Sequence, residues 1–182
     1  MNKKTIPGRI VPGIFILVFL IAAVFFLFYP VKDCFVLEDA GDESILYCSS
    51  YIPDMIFGIS YMHSVNKSKI TDYFTLKQNG VLILTSSRFS SFGAGVATFP
   101  EESGSFSTEK DYINYTGIDR VIEDLVVFVG TVADHILILP ESSIHLSEIA
   151  PPQTDLRFKL DRLSASELVY YYIKRGALHG KT

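Results

Sequence analysis

The sequence is poor in charge and in cysteine, and it contains no tryptophan. Charged residues make up 20% of the 182 residues and hydrophobic residues 48%, a balance that excludes bulk disorder. The aromatic residues are 14 Phe and 10 Tyr, which favour β-strands. No nucleophile elbow, P-loop or zinc-protease motif occurs, so no motif fixes a reaction. We therefore expect a β-rich protein that is not an enzyme and needs no cofactor.

Acidic residues are absent from the first 31 positions, and basic residues are in the minority in the rest. Lys3, Lys4 and Arg9 are the only charges of residues 1–31. The remaining 13 of the 16 basic residues face all 20 acidic ones, which gives residues 32–182 a net charge of −7. Nucleic-acid binding needs a basic surface. The acidic body therefore predicts no nucleic-acid partner.

Residues 10–31 carry no charged side chain and are almost entirely apolar. About 20 such residues suffice to span a bilayer as a helix, and the preceding basic residues place the N-terminus in the cytoplasm. We predict a cytoplasmic segment at 1–9, a transmembrane helix at 10–31, an extracytoplasmic β domain at 32–163, and a short C-terminal helix and tail at 164–182. The chain would then be a single-pass protein of the cell membrane. The alternative is a cleaved signal peptide, but the bulky residues 25–29 do not suit a small-x-small cleavage site.

Cys34 and Cys48 are the only cysteines, and both fall in the predicted extracytoplasmic part. A disulfide is permitted outside the cytoplasm, and closing a loop of about 15 residues would contribute about 3 kcal/mol. The spacing matches no common zinc pattern, so we expect no metal site. We predict a disulfide between these two residues, and the alternative is a pair of buried thiols.

Apolar and polar residues alternate with period two along much of the body, which indicates strands. Continuous apolar runs at 125–129 and 136–139 are typical of strands buried on both faces or inside a sandwich. Many short strands joined by turns predict a compact antiparallel sandwich or barrel. Strands are predicted at residues 35–39, 45–48, 55–65, 70–76, 81–85, 125–129, 136–139, 144–146 and 156–160.

Turn and cap signals divide these strands. Asn79-Gly80 predicts a type I′ hairpin, in which both central residues have positive φ. Residues 93–117 are rich in Gly, Ser and acidic residues and are expected to form a loop. Ser164 and Glu167 have capping-box spacing, so a short helix is predicted to begin there and to stop at Gly176.

The first candidate site lies around Tyr61, His63 and Ser64, which fall in one predicted strand. His63 would share a face with Tyr61, and Asp72 on the next strand could set its tautomer and raise its pKa. A structural histidine is the simpler alternative. Asp134-His135 forms a weaker candidate of the same kind.

The second candidate site comprises Ser91, Gly93, Ala94 and Gly95, with Arg88 just before them. Closely spaced glycines after a strand allow successive N–H groups to form an anion-binding nest, and Arg88 could add charge. An ordinary tight turn is the alternative interpretation.

Four features follow one another in the chain: the segment from Ser60 to Val65, Asp72, the Asn79-Gly80 hairpin and the segment from Arg88 to Gly95. Taken together and in this order, they resemble a family of small bacterial and archaeal domains of unknown function. Its hallmarks are a Tyr-x-His-Ser-Val segment and a Ser-Phe-Gly-Ala-Gly segment. The resemblance covers roughly residues 35–160. It implies an association with TAXI-type TRAP transporters, which import organic acids with the help of an extracytoplasmic binding protein.

From the anchor and this resemblance we expect a membrane-anchored accessory module of a TRAP-type transporter. Its two candidate sites would form one polar site that binds a small anion or a partner, either the transporter's membrane subunits or its binding protein. An extracytoplasmic hydrolase that uses His63 as a base is one alternative, and a structural envelope protein is another.

Overall fold

A computed structural model describes residues 10–64, 67–92 and 103–179, with side chains from residue 13 to residue 175. The chain is mainly β, as expected. Its helices are α1 (Ile10–Phe28), α2 (Leu146–Ile149) and α3 (Ala165–His179). Its strands are β1 (Pro30–Asp39), β2 (Ile45–Ser50), β3 (Met55–Met62), β4 (Lys69–Leu76), β5 (Leu82–Phe89), β6 (Ser105–Glu109), β7 (Tyr112–Ile122), β8 (Leu125–Phe128), β9 (Ile136–Ile138), β10 (Ser143–His145) and β11 (Asp155–Ser164).

The strands form two antiparallel sheets. One has seven strands in the order β10-β9-β3-β4-β5-β7-β6, and the other has four in the order β2-β1-β11-β8. The sheets pack face to face through aromatic rings: Phe57 of the larger sheet lies 4.8 Å from Phe35 and 5.8 Å from Phe158 of the smaller one, between ring centroids. The predicted sandwich is therefore the architecture of this domain.

Residues Asp33–Asp161 form one compact unit, and the two terminal regions form another that contains α1 and α3. Within the second unit these helices contact each other. Ser164 begins α3 as predicted: its Oγ accepts a hydrogen bond from the Glu167 N–H at 3.3 Å, and the Ser164 N–H donates to Glu167 Oε2 at 2.8 Å. The predicted stop at Gly176 is wrong, because α3 continues to His179.

Every described side chain of α1 is exposed, and its large apolar residues from Ile14 to Phe28 have 46–72% of their surface accessible. Among the residues that the structure describes, no helix combines the length and the hydropathy that crossing a membrane requires. The side chains of residues 1–12 lie outside that description, so the membrane span predicted at 10–31 stays a prediction.

The Asn79-Gly80 hairpin exists, but the predicted type I′ turn is wrong. Gly80 has φ +81°, whereas Asn79 is not among the residues with positive φ. The N–H of Gly80 donates to the Lys77 carbonyl, and that of Lys77 donates to the Val81 carbonyl, both at 2.9 Å. The loop therefore has three residues, with Gly80 in the left-handed conformation that closes such loops.

One further strand prediction is wrong, and another is met by only one of its two alternatives. Residues 93–117 were expected to form a loop, yet β6 and the first half of β7 lie there and pair with each other. The apolar run at 125–129 was expected to be buried on both faces or inside a sandwich. It is a strand of the sandwich, but β8 is the edge strand of the smaller sheet and exposes Val126 and Phe128. An edge strand lies against one sheet neighbour only, so apolar composition alone did not reveal its position.

The two cysteines lie on neighbouring strands and are both buried. They are not directly opposite, because Cys34 pairs with Ser50 while Cys48 pairs with Val36. Such diagonal neighbours are about 7 Å apart, which is the upper limit for a disulfide without backbone movement. The disulfide stays a prediction.

Candidate functional site

Asp72 is a carboxylate on the inner, core-facing side of the seven-stranded sheet. In strand register it lies between Ile59 of β3 and Ser87 of β5, and its own strand contributes Ile70 and Phe74 to the same face. Directly paired residues of an antiparallel sheet point to the same side. The strand pairing therefore places an acidic group and the Ser87 hydroxyl beside the apolar side chains of Ile59, Ile70 and Phe74.

Two hydroxyl groups satisfy this carboxylate. Ser87 Oγ donates to Asp72 Oδ1 at 2.6 Å, and Tyr61 Oη donates to Asp72 Oδ2 at 3.3 Å. Three strands contribute one residue each, since Tyr61 comes from β3, Asp72 from β4 and Ser87 from β5. We call these three residues the Asp72 cluster.

Burial dominates the electrostatics of the Asp72 cluster. It raises the pKa of Asp72, because desolvation disfavours the charged form, while the hydrogen bonds from Ser87 and Tyr61 act in the opposite direction. Burial also raises the pKa of Tyr61, and the neighbouring Asp72 charge adds to that effect. Tyr61 therefore stays a donor at neutral pH, and Asp72 binds a proton more readily than an exposed aspartate does.

His135 extends the Asp72 cluster toward a small cavity. Its ring centroid lies 5.7 Å from that of Tyr61, and burial lowers its pKa against the opposing effect of Asp134. Its Nδ1 is buried and has no hydrogen-bond partner among the described residues. With Thr131, Asp134 and Ser147, His135 lines a cavity of about 210 Å³. The result is an imidazole with a lowered pKa beside a small cavity of mixed polar and apolar lining.

Pairing between β3 and β9 brings His135 to Tyr61. Ile136 is opposite Ser60 in this antiparallel pair. His135, which precedes Ile136, therefore lies beside Tyr61, which follows Ser60. The sequence offered Asp134-His135 only as a weak local candidate and gave no sign of this long-range pairing. Asp134 itself is hydrogen-bonded to His145, with 2.8 Å between Oδ1 and Nδ1.

His63 does not lie in a strand as predicted, because β3 ends at Met62. It belongs to the turn before β4, where its N–H donates to the Ser68 carbonyl at 2.9 Å and its carbonyl accepts from the Lys67 N–H at 2.9 Å. Asp72 pairs with Ile59, four residues before His63, which corresponds to about 13 Å at strand spacing. Ser64, next in the chain, is exposed.

Arg88 faces away from the Asp72 cluster. It follows Ser87 on β5 and pairs with Thr71 and Asn114, so it projects from the outer side of the sheet. Its Nε donates to Asn114 Oδ1 at 2.7 Å, and Glu109 lies 3.9 Å from its Nη2. The guanidinium already has an amide and a carboxylate as neighbours.

The rest of the second candidate site is sparsely described. Ser91 is exposed just beyond β5. Gly93, Ala94 and Gly95 lie outside the described residues, so the anion-binding nest stays a prediction. Since Asp72 and Arg88 project from opposite sides of one sheet, the two candidate sites do not form a single polar site around these residues.

An apolar groove lies on the outer side of the same sheet. It has a volume of about 530 Å³, and its lining includes Ile56, Gly58, Tyr73, Ile138 and Pro140. A Cβ atom added to Gly58 would lie 3.2 Å from the Tyr73 ring, so the glycine lets this ring pack closely on β3. Sequence patterns did not indicate this groove, because its walls come from three separate strands and two loops.

Comparison with known proteins identifies a domain but no activity. Residues 57–146 match DUF1850, a domain of unknown function. The match begins in β3 and ends at the start of α2, so it includes the Asp72 cluster, His135 and most of the groove. No curated protein and no solved structure matches the chain.

Proposed function

We propose that this chain is a membrane-anchored, extracytoplasmic accessory module of a TRAP-type solute transporter and that its β domain binds a partner subunit. The observation that carries the proposal is the exposure of α1 on all sides. A helix that is apolar all round is stable only when it is buried in protein or in a membrane. The association with a transporter rests on the resemblance of the two sequence motifs.

The dimensions of α1 support an anchor. Its 19 residues correspond to about 28 Å of helix, close to the roughly 30 Å thickness of the hydrocarbon core. Tyr29 follows at the position of the lipid headgroups, and Lys3, Lys4 and Arg9 precede the helix. This charge distribution favours a cytoplasmic N-terminus and an extracytoplasmic β domain.

Partner binding is favoured over anion binding by the charges at the two candidate sites. An anion at the Asp72 cluster would meet a carboxylate, and the positive charge of Arg88 faces Glu109 on the other side of the sheet. The groove beside Gly58, in contrast, presents apolar side chains with exposed edges, such as Ile56 at 56%. Exposed apolar patches of this kind mark interaction sites for proteins.

The geometry gives little support to the alternative of a hydrolase. The short hydrogen bond from Ser87 goes directly to a carboxylate, whereas nucleophilic serines are activated by a base, most often an imidazole that a carboxylate orients. His63, the expected base, lies in the turn beyond β3. We therefore assign no catalytic residue.

Co-purification with the transporter tests this proposal. The full chain is extracted from membranes together with TRAP membrane subunits and compared with the variants Ile56→Lys in the groove and Val132→Lys in a loop. Val132 is a matched control, because it is an exposed apolar residue of the β domain outside the groove, with 84% of its surface accessible. We expect Ile56→Lys to lose most of the bound subunit and Val132→Lys to retain it.

Two results would overturn the proposal in different ways. Absence of TRAP subunits from the wild-type preparation would refute the association with a transporter. Equal retention by Ile56→Lys and wild type would refute the groove as the binding surface.

A further inference from the structure

Helix α3 exposes an apolar face. Val169, Tyr170, Tyr172 and Ile173 have 55%, 69%, 58% and 67% of their surface accessible. At about 100° per residue, Val169, Tyr172 and Ile173 fall within an arc of about 100° on one side of the helix. The capping box at Ser164 fixes where this helix begins and so fixes which residues share that side.

The opposite side of α3 is packed. Tyr171 is only 4% exposed, and its hydroxyl accepts a hydrogen bond from Arg175 Nη1 at 3.1 Å. Among the described residues, Val169, Tyr172 and Ile173 stay exposed, so packing within the fold does not account for the apolar composition of this face. A surface helix in water would carry polar residues there.

Two features of the same structural unit indicate what covers this face. Helix α1 contacts α3 and is itself apolar and exposed on all sides, so a bilayer around α1 would lie beside α3. Tyr172 lies on this face with 58% of its surface accessible. Tyrosine is enriched at the boundary between lipid headgroups and acyl chains.

We infer that α3 lies in the surface of a phospholipid bilayer, with Val169, Tyr172 and Ile173 toward the acyl chains. The chain therefore has two contacts with the bilayer, a spanning one through α1 and a surface one through α3. This inference rests on the proposed role of α1 as an anchor.

The absence of tryptophan from the chain makes a clean test possible, because one introduced Trp is the only indole in the protein. The full chain is reconstituted into vesicles of phosphatidylcholine and phosphatidylglycerol that contain nitroxide-labelled lipids, with the nitroxide near either the headgroup or the methyl end of the acyl chain. Three variants are compared: Phe19→Trp in the middle of α1, Ile173→Trp on the apolar face of α3, and Lys174→Trp. The last is a matched control, exposed and about 100° further round the same helix.

We expect the nitroxide near the methyl end to quench Phe19→Trp most strongly. The nitroxide near the headgroup should quench most of the Ile173→Trp emission and much less of the Lys174→Trp emission. Quenching of Phe19→Trp without quenching of Ile173→Trp would refute the surface contact of α3 and leave the anchor intact. Equal quenching of Ile173→Trp and Lys174→Trp would also overturn the inference. Loss of Phe19→Trp quenching would refute the anchor itself.

Discussion

Asp72 contributes a polar group to a face that is otherwise built from Ile59, Ile70 and Phe74. Its hydrogen bonds with Ser87 and Tyr61 offset part of the cost of burying a charge, because hydrogen bonds to an ionised group are stronger than those between neutral groups. The part that is not offset appears as the raised pKa of Asp72. At the scale of single residues, this cluster should therefore control how stability depends on pH.

The folded state should lose stability as the pH rises through the titration of Asp72. Its pKa is raised on folding, so the folded state binds the proton more tightly than the unfolded state does. Stability then falls from the ordinary aspartate value, about 3.9, up to the raised folded-state value. Asp72→Asn removes this loss. The free energy of unfolding of the variant, measured with urea across that range, should therefore increase relative to wild type as the pH rises.

The variant and wild type are compared at each pH, because other titrating groups, such as His135, then contribute equally to both free energies of unfolding. Asp111→Asn, in an exposed turn, controls for the loss of one negative charge. A difference between Asp72→Asn and wild type that stays constant with pH would show that the carboxyl group does not titrate abnormally in the fold.

The two hydroxyl donors should contribute unequally. Ser87→Ala removes the 2.6 Å bond and should lower the free energy of unfolding by about 1–2 kcal/mol at neutral pH, whereas Tyr61→Phe removes the 3.3 Å bond and should cost less. In the Asp72→Asn background the effect of Ser87→Ala should shrink, because the acceptor is then neutral. Urea unfolding of the double-mutant cycle measures this coupling, and additive effects would argue against it.

Sequence could identify Asp72 and Tyr61 as members of a site, because both carry polar groups at core-facing positions of alternating strands. It did not identify Ser87, and it offered His135 only as a weak local candidate beside Asp134. Ser87 becomes a partner only through the pairing of β4 with β5, and His135 only through that of β3 with β9. The pairing of β3 with β9 joins segments distant in sequence, which local patterns do not contain. The hairpin of β4 and β5 was predicted, but its second strand was expected to end at residue 85, short of Ser87.

At the scale of elements, most strands with clear alternation were predictable, and so was the start of α3. The region at 93–117 was predicted as a loop because glycine and serine have low strand propensity. Cross-strand contacts override that propensity: Phe106 and Tyr115 are paired in register, with their ring centroids 4.6 Å apart. Tertiary packing, rather than local composition, forms β6 and β7.

Gly117 fixes the pairing of β6 with β7, and replacing it should be costly. It has φ +71°, and a Cβ there would lie 2.4 Å from the carbonyl oxygen of Ser103. Gly80 is a matched control, since it has φ +81° but open space around it. We expect Gly80→Ala to cost about 1 kcal/mol through backbone strain and Gly117→Ala about 3 kcal/mol, because a clash adds to the strain.

Thermal or urea unfolding of the two alanine variants measures this difference. Equal costs for Gly117→Ala and Gly80→Ala would mean that the close approach of Ser103 is relieved without loss of stability.

At the scale of the whole molecule, the proposed topology determines the chemistry of the cysteines. An extracytoplasmic β domain allows Cys34 and Cys48 to be oxidised, and both are buried on adjacent strands. We predict that the denatured but unreduced protein takes up no alkylating reagent and that it takes up two equivalents after reduction. Reduction should lower stability by about 3 kcal/mol. Uptake of two equivalents before reduction would show that the disulfide is absent.

The central claim concerns α1, whose apolar surface is exposed on all sides and whose proposed role is to hold the β domain at the outer face of a membrane. The most direct test is the intact mass of the protein extracted from alkali-washed membranes. The account predicts a membrane-retained chain of 20.4 kDa that still includes residues 1–30. Recovery in the alkaline supernatant, or a mass that corresponds to a chain beginning after residue 30, would contradict it.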